Sequence, residues 1–342
     1  MNYDLFGCPI IPEVEQLRIP YMGSKNKIAT QLMRKMLDEK PKAKYFIDLF
    51  GGGGSMSFTA VQMGLKVHYN EKQTSLVNFI DYILERIKTG QGGKYGLFPD
   101  DFYKFITREE FNELKEEDSI KGQFARICYS FGNNQRNYLF GDIEKTKHLL
   151  HDIVMFRCKV SLKEFNKLWG VNYTISNAKT WNERKFHCKA EWNQRMKIKD
   201  CSKLEMLQQL QQLEQLEQLE RLQQLEQLQQ LERLQRLEQL ERLEPLNNLT
   251  LSNLDYKNVK IETPIDETIV YLDPPYRGTI KYIEDVFHDE IDDYFKSSPY
   301  TCFMSEYKAP FKSILEIKKT QLMHNSKEKR AYALEQLYIN KD

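Results

Sequence analysis

A short apolar run that breaks into four glycines, followed closely by a second apolar run, constrains this chain more than any other feature. Lys44–Phe50 reads as a buried strand, Gly51-Gly52-Gly53-Gly54-Ser55 as a turn, Met56–Met63 as a helix and Lys66–Tyr69 as the next strand. Strand, glycine turn, helix and strand within about 25 residues make a βαβ unit, which requires a parallel sheet with helices on its faces. Ahead of it, residues 1–17 read as an irregular arm. A basic helix is expected over Ser24–Glu39, with Ile28, Leu32, Met36 and Leu37 as its apolar stripe.

From Ser75 to Lys199 the pattern changes to helical segments rich in aromatic and basic residues, and sheet-like sequence resumes only near Lys257. Ile269–Leu272 then reads as a strand, Asp273-Pro274-Pro275-Tyr276 as a turn, Asp289–Lys296 as a helix and Thr301–Met304 as a further strand. The expected organisation is an α/β domain in two parts, residues 1–80 and 250–342. A mostly helical domain is inserted over 81–200, and a low-complexity segment fills 201–249. In that segment leucine recurs at every third position from Leu204 to Leu249, with Glu, Gln and Arg between. These residues favour helix, yet steps of three carry the stripe around a helix in about 18 residues, so no single partner could follow it. The expectation is a length-tolerant spacer without chemistry.

The net charge of +1 hides an uneven distribution. Between Lys121 and Lys199, 16 Lys or Arg stand against 6 Asp or Glu; between Cys201 and Glu244 the balance is 5 against 9. A local basic excess is what binding to phosphates requires. No basic segment followed by an apolar run opens the chain, so no secretory signal is expected, and no apolar stretch is long enough to span a membrane. The cysteines are scattered, with no C-x-x-C pair and no clustered histidines, which points to reduced thiols and no metal site.

Two segments carry chemistry. A strand that runs into glycines and then a helix lets the backbone approach a ligand closely, with free amides at the helix start. Phe50 sits where a ring could flank an adenine, and Glu71, about 20 residues on, where a carboxylate could hold a ribose diol. Taken alone this would also suit a nicotinamide dinucleotide. Asp273-Pro274-Pro275-Tyr276 is more specific. It follows Thr268-Ile269-Val270-Tyr271-Leu272, so it lies at the carboxyl end of a strand, where open α/β sheets bind ligands. Two prolines stiffen the backbone and leave carbonyls free to accept. Asp273 and the Pro274 carbonyl could accept both N–H groups of a primary amine on a flat ring, while Tyr276 stacks on the ring. Such acceptors draw the amine, whose lone pair is delocalised into the ring, towards tetrahedral geometry.

These residues resemble the D12 class of DNA adenine-N6 methyltransferases, the Dam-like alpha group. The class has the motif order cofactor, recognition domain, catalysis. Tyr21-Met22-Gly23-Ser24-Lys25 is similar to its N-terminal motif, and Asp48–Ser55 to its glycine loop, with Gly51 where alanine is common. Asn70-Glu71 stands where Asn-Asp is frequent, and Asp255-Tyr256 resembles the short motif ahead of the catalytic strand. Gly278-Thr279 with Tyr282, and Ser305-Glu306-Tyr307, match positions downstream; Ser130-Phe131-Gly132-Asn133-Asn134 looks more loosely like recognition-domain sequence.

The resemblance implies a Rossmann-like methyltransferase fold that uses S-adenosyl-L-methionine and moves its methyl to the N6 amine of a flipped adenine by direct in-line transfer. It implies a cofactor site of Tyr21, Lys25, Asp48, Phe50, Gly51, Gly53, Glu71, Asp255, Tyr256 and Asp273, and a catalytic loop of Asp273, Pro274, Pro275 and Tyr276. Candidates for DNA contact are Asn133, Asn134, Gln135, Arg136, Tyr138, Lys145 and Lys147. The expected partner is double-stranded DNA, with a cognate restriction endonuclease as a further candidate. The expected setting is a monomer in the cytoplasm, bacterial or phage-encoded. Methylation of the N4 amine of cytosine, or a catalytically silent DNA-binding relative, are the alternatives; a cytosine-C5 enzyme would need a Pro-Cys nucleophile, and no cysteine here follows a proline.

Overall fold

The computed structural model describes residues 24–95, 97–131, 134–170, 172–175, 184, 247–277, 288–320 and 332–341. Tyr21, Asn133, Gly278-Thr279, Tyr282 and the leucine segment up to Leu246 lie outside them. The chain divides into two compact units, one formed by residues 1–91 with 236–342, the other by 92–235.

The first unit is built on a sheet of seven described strands in the order β3-β2-β1-β4-β5-β7-β6. Strands β1 (Tyr45–Asp48), β2 (Lys66–Asn70), β3 (Leu249–Ser252), β4 (Thr268–Leu272) and β5 (Thr301–Glu306) run parallel. β6 (Lys312–Thr320) and β7 (Tyr332–Ile339) close one side antiparallel. β4 is apolar or β-branched throughout, and every residue of β4 and β5 is buried, as a sheet covered on both sides demands.

Helix α1 (Ala29–Glu39) presents Leu32, Met33, Met36 and Leu37 to the core. It begins after a turn at Asn26-Lys27-Ile28 rather than at Ser24. Helix α2 (Ser55–Gln62) starts directly behind Gly54, whose φ of 74° is left-handed and favours glycine. Helix α3 (Thr74–Thr89) ends on Gly90 at φ 64°, a left-handed C-cap.

Two features differ from the sequence expectation. The sheet resumes at Leu249, not near Lys257: the last leucine of the triplet series pairs with Val67 in β3. The β6–β7 pair adds an antiparallel margin that no sequence pattern announced.

The second unit is helical. Its described helices are α4 (Arg108–Leu114), α5 (Ile120–Tyr129), α6 (Glu144–Phe156) and α7 (Lys159–Trp169). α4 starts on a capping box in which Thr107 and Glu110 satisfy each other's backbone amides. Aromatic rings fill its interior. Phe98, Phe102 and Phe124 lie with centroids 5.1–5.5 Å apart, and Phe105 stacks on His148 at 4.7 Å. Leu149, Ile153, Phe165 and Tyr173 join α6 to α7. Among the described residues no helix is long and apolar enough to cross a membrane.

Candidate active site

The strand order puts a crossover between β1 and β4, with β2 on one side and β5 on the other. Asp48 lies opposite Tyr271 in register, so the glycine turn and the Asp273 loop leave the sheet from neighbouring strand ends. That is the switch point at which open α/β sheets take ligands.

Asp48 is 1% exposed. Its Oδ2 accepts from the Ser57 hydroxyl at 2.7 Å, while Oδ1 is buried with no hydrogen-bond partner within 3.5 Å among the described residues. Burial lifts its carboxyl to about 7, with the nearby Asp273 and Glu71 charges adding to the rise and the Ser57 hydrogen bond opposing it. Glu71 reaches the glycine turn directly: its Oε2 accepts from the Gly52 amide at 2.9 Å and its Oε1 from the Gln73 amide at 2.9 Å. Burial raises its pKa against those hydrogen bonds. Asn70 is fully employed. Its amide donates to Leu49 O and Leu254 O, each at 3.0 Å, and its Oδ1 accepts from Ser252 Oγ and Leu254 N. Asn70 thereby ties the end of β2 to the segment bearing Asp255-Tyr256.

Phe50 and Tyr256 meet with ring centroids 5.1 Å apart and planes tilted by 32°. A base needs about 7 Å between two rings to sit between them. The pair therefore offers one aromatic wall, not a slot. The Tyr256 hydroxyl is buried without a hydrogen-bond partner among the described residues. Asp255 caps the turn after it by accepting from Lys257 N at 3.2 Å, and lies 3.7 Å from the Lys72 ammonium.

Gly51 is more constrained than the resemblance implies. A Cβ there would fall 2.1 Å from Cε2 of Tyr69, a ring that is 1% exposed and whose hydroxyl donates to Gly52 O at 2.7 Å. Alanine at this position is not a harmless change in this chain. Gly51→Ala should cost about 1–3 kcal/mol by overpacking, read as a lower melting temperature with weaker cofactor binding. Tyr69→Val should restore much of the loss if the ring is the obstacle; a Gly51→Ala protein as stable as the parent would refute the clash.

At the other strand end, the Lys25 Nζ donates to Asp273 Oδ1 at 2.6 Å and lies 3.4 Å from Glu335 Oε1. Its side chain is 3% exposed. Burial alone would lower its pKa, but Asp273 and Glu335 outweigh that and hold it above the ordinary lysine value. The same ammonium stands 4.7 Å from the Tyr276 ring centroid, the Tyr276 hydroxyl donates to Glu335 Oε1, and Tyr307 abuts the ring edge-on at 4.5 Å. Burial, reinforced by Asp273 and Glu335, pushes the Tyr276 hydroxyl far above its usual range. Pro274 is buried and Pro275 half-buried beside them. Behind the loop, Arg277 pairs with Asp292 at 2.5 Å and donates its backbone N–H to Glu306; burial lifts Glu306 to about 7.

The structure thus gathers Lys25, Asp48, Gly51, Gly53, Glu71 and Asp273 with Pro274, Pro275 and Tyr276 at adjoining strand ends. It adds Glu335 and Glu306, which the sequence reading did not single out. The β5 motif Ser305-Glu306-Tyr307 pointed towards Glu306; nothing in the local sequence marked Glu335.

In the helical unit the expected DNA-contact residues divide. Ser130 and Tyr138 bridge antiparallel, making a hairpin with Gln135 at φ 60°. Asn134 Oδ1 accepts from the amides of Arg136 and Asn137 at 2.9 and 3.0 Å, so that oxygen shapes the turn. Tyr138 turns inward and donates its hydroxyl to Ile106 O at 2.7 Å. Lys147 is only 6% exposed. These three are taken up by the unit's own structure. Arg136 is exposed, and Lys145 is exposed but paired with Glu164 at 2.7 Å. Among the described residues no group of three His, Cys, Asp or Glu could hold a metal ion.

Comparison with known proteins bears on this geometry. No curated protein matches the chain. The model of one family, D12 class N6 adenine-specific DNA methyltransferase, matches residues 21–218. The match takes in Lys25, the glycine turn, Glu71 and the helical unit, and it stops short of Asp273, which the fold brings to Lys25. With more than half of its length matched, the chain belongs to the D12 class of N6 adenine-specific DNA methyltransferases.

Proposed function

We propose that the protein transfers a methyl group from S-adenosyl-L-methionine to the N6 amine of an adenine flipped out of double-stranded DNA, by direct in-line transfer. The observation that carries this reading is the convergence of Lys25, Asp273 and Tyr276 beside the glycine turn of β1. When bound, the cofactor supplies an electrophilic methyl on a sulfonium. The residues fit it: the glycine turn admits a close ligand, Glu71 stands at the turn to take ribose hydroxyls, and the Phe50–Tyr256 wall faces an adenine. The orphaned Oδ1 of Asp48 suits the ammonium of the amino-acid end.

Asp273 and the Pro274 carbonyl accept the two N–H bonds of the target amine, concentrating its lone pair, and Tyr276 packs on the base. Lys25 holds the Asp273 carboxylate in place as its counter-charge. The methylated amine sheds one proton, and Asp273 Oδ is the acceptor within reach. The helical unit is read as the inserted recognition domain, with Arg136 and Lys145 as its phosphate contacts. Base flipping costs a few kcal/mol, which those contacts must supply.

Incubation of the protein with labelled S-adenosyl-L-methionine and duplex DNA, followed by base-resolved mapping, tests the reading. N6-methyladenine at a defined site is expected. N4-methylcytosine would favour the alternative amine, and absence of transfer would refute the activity.

A pH dependence follows from Asp48. Its carboxyl, raised to about 7, is neutral below that pH and anionic above it. The sign for the free protein is that ionising it in the fold costs stability as pH rises towards 7, since the unfolded carboxyl ionises earlier. A cationic ligand reverses this by favouring the anion. Cofactor affinity should therefore tighten on the order of tenfold from about pH 6 to about pH 8. Calorimetry on Asp48→Asn should give a flat profile; a slope retained in that variant would move the titration to another group such as Glu306.

A further inference from the structure

On β7 the side chains of Glu335, Leu337 and Ile339 share one face by strand alternation. All three are buried, and Glu335 is 0% exposed. An apolar residue would pack such a site at less cost, because a buried carboxylate loses its hydration and is repaid only by well-placed partners. Glu335 has two such partners in the site. The Tyr276 hydroxyl donates to its Oε1, and the Lys25 ammonium lies 3.4 Å from the same oxygen. Tyr276 is further boxed by the Tyr307 edge and by Lys25 over its face, and Lys25 in turn holds Asp273 at 2.6 Å.

We infer that Glu335 is a positioning residue for methyl transfer: from one strand it sets both the Tyr276 ring that walls the base and, through Lys25, the Asp273 carboxylate that receives the amine. The inference rests on the proposed reaction and assigns a role to a strand that the family match does not reach. Glu335 touches no reacting atom in this scheme. It acts by denying two side chains their other orientations. A tyrosine ring that loses this hydroxyl anchor is less restrained about χ1, and a lysine that loses the Glu335 charge is held less firmly against Asp273. Misplacement of reacting groups by an ångström is enough to cost a large factor in rate.

The test uses the full-length protein with Glu335→Gln, Glu335→Leu, Tyr276→Phe and the Glu335→Gln/Tyr276→Phe double variant. Glu335→Gln keeps an acceptor for Tyr276 and removes the charge beside Lys25. It should lower kcat by about tenfold to a hundredfold while KM for cofactor and for DNA stay within about threefold. Glu335→Leu should lower kcat further without unfolding, since an apolar side chain suits the buried site.

Loss in the double variant should fall well short of the product of the single losses, because both act on one contact. Independent of turnover, NMR titration of the Lys25 ammonium should show its midpoint falling by about one pH unit or more in Glu335→Gln. An unmoved Lys25 midpoint overturns the inference whatever the activity. So does unchanged kcat in Glu335→Gln, or a kcat loss that merely tracks a fall in melting temperature. Wild-type protein that methylates no adenine would instead sink the proposed reaction, leaving the Lys25 titration to decide the coupling.

Discussion

Asp273→Ala should abolish methyl transfer, lowering kcat on the order of 10³-fold or more, with duplex affinity within about threefold of the parent. The size follows from the two jobs of one carboxylate. In the proposed reaction it accepts an N–H from the target amine and takes the proton that the amine sheds. The side chain is 17% exposed and its partner Lys25 keeps Glu335 as a second counter-charge, so the fold should survive the truncation. Asp273→Asn retains an acceptor oxygen without the charge and should fall between parent and Ala. Single-turnover transfer with cofactor and DNA both saturating checks the ordering. Full activity in Asp273→Ala would remove the loop from the chemistry; a parallel loss of DNA binding would make it structural.

Lys25→Met should be the most destabilising substitution at the site. It removes the ammonium that pairs with both Asp273 and the fully buried Glu335. Breaking a buried pair by deleting one partner costs about 3–5 kcal/mol, or about 10 °C in melting temperature for a chain of this size. The sign with pH is definite. In the variant, two carboxylates crowd one dry site, so protonating either relieves the repulsion, and the deficit should shrink as the pH is lowered from about 8 to about 5. Denaturant titrations of both proteins at the two pH values measure it. A loss under about 1 kcal/mol at both would show that the ion cluster carries little net energy.

Much of the site was legible because its signals are local. The β1–glycine–α2–β2 unit declares itself by strand-length apolar runs around Gly51–Gly54, and Asp273–Tyr276 by stiff prolines after a β-branched run. What stayed hidden depends on contacts across the chain. Leu249-Thr250-Leu251-Ser252 has the alternation of a strand, but the triplet leucines that run into it mask that period. Glu335 stands in an apolar strand on the face of Leu337 and Ile339, but only the Lys25 and Tyr276 side chains beside it, distant in sequence, give a carboxylate there a use. Alanine is common in the family at the place of Gly51, and only the Tyr69 ring, brought there by β2, makes glycine necessary. Lys147 and Tyr138 carry the chemistry of DNA contacts, yet helix packing and Ile106 O claim them. A residue type announces what it can do; burial decides whether it does.

The order of the sheet also sets a timetable. β1 is flanked by β2 and β4, and the Lys25–Asp273 contact spans 248 residues of chain. At about 5–20 residues per second, a ribosome needs roughly 10–50 s to make that stretch. Until Leu249–Ser252 and Thr268–Leu272 are made, a β1–β2 ribbon has both edges bare, the β2 edge awaiting β3 and the β1 edge awaiting β4, and a bare edge is a template for wrong pairing. The delay carries little thermodynamic weight, since doubling a loop adds only about 0.6 kcal/mol of closure entropy. The leucine triplets can therefore lengthen or shorten at small cost to the finished fold. Their length instead governs how long the nascent half-sheet waits for β3 and β4, a kinetic effect and not one on the stability of the finished fold.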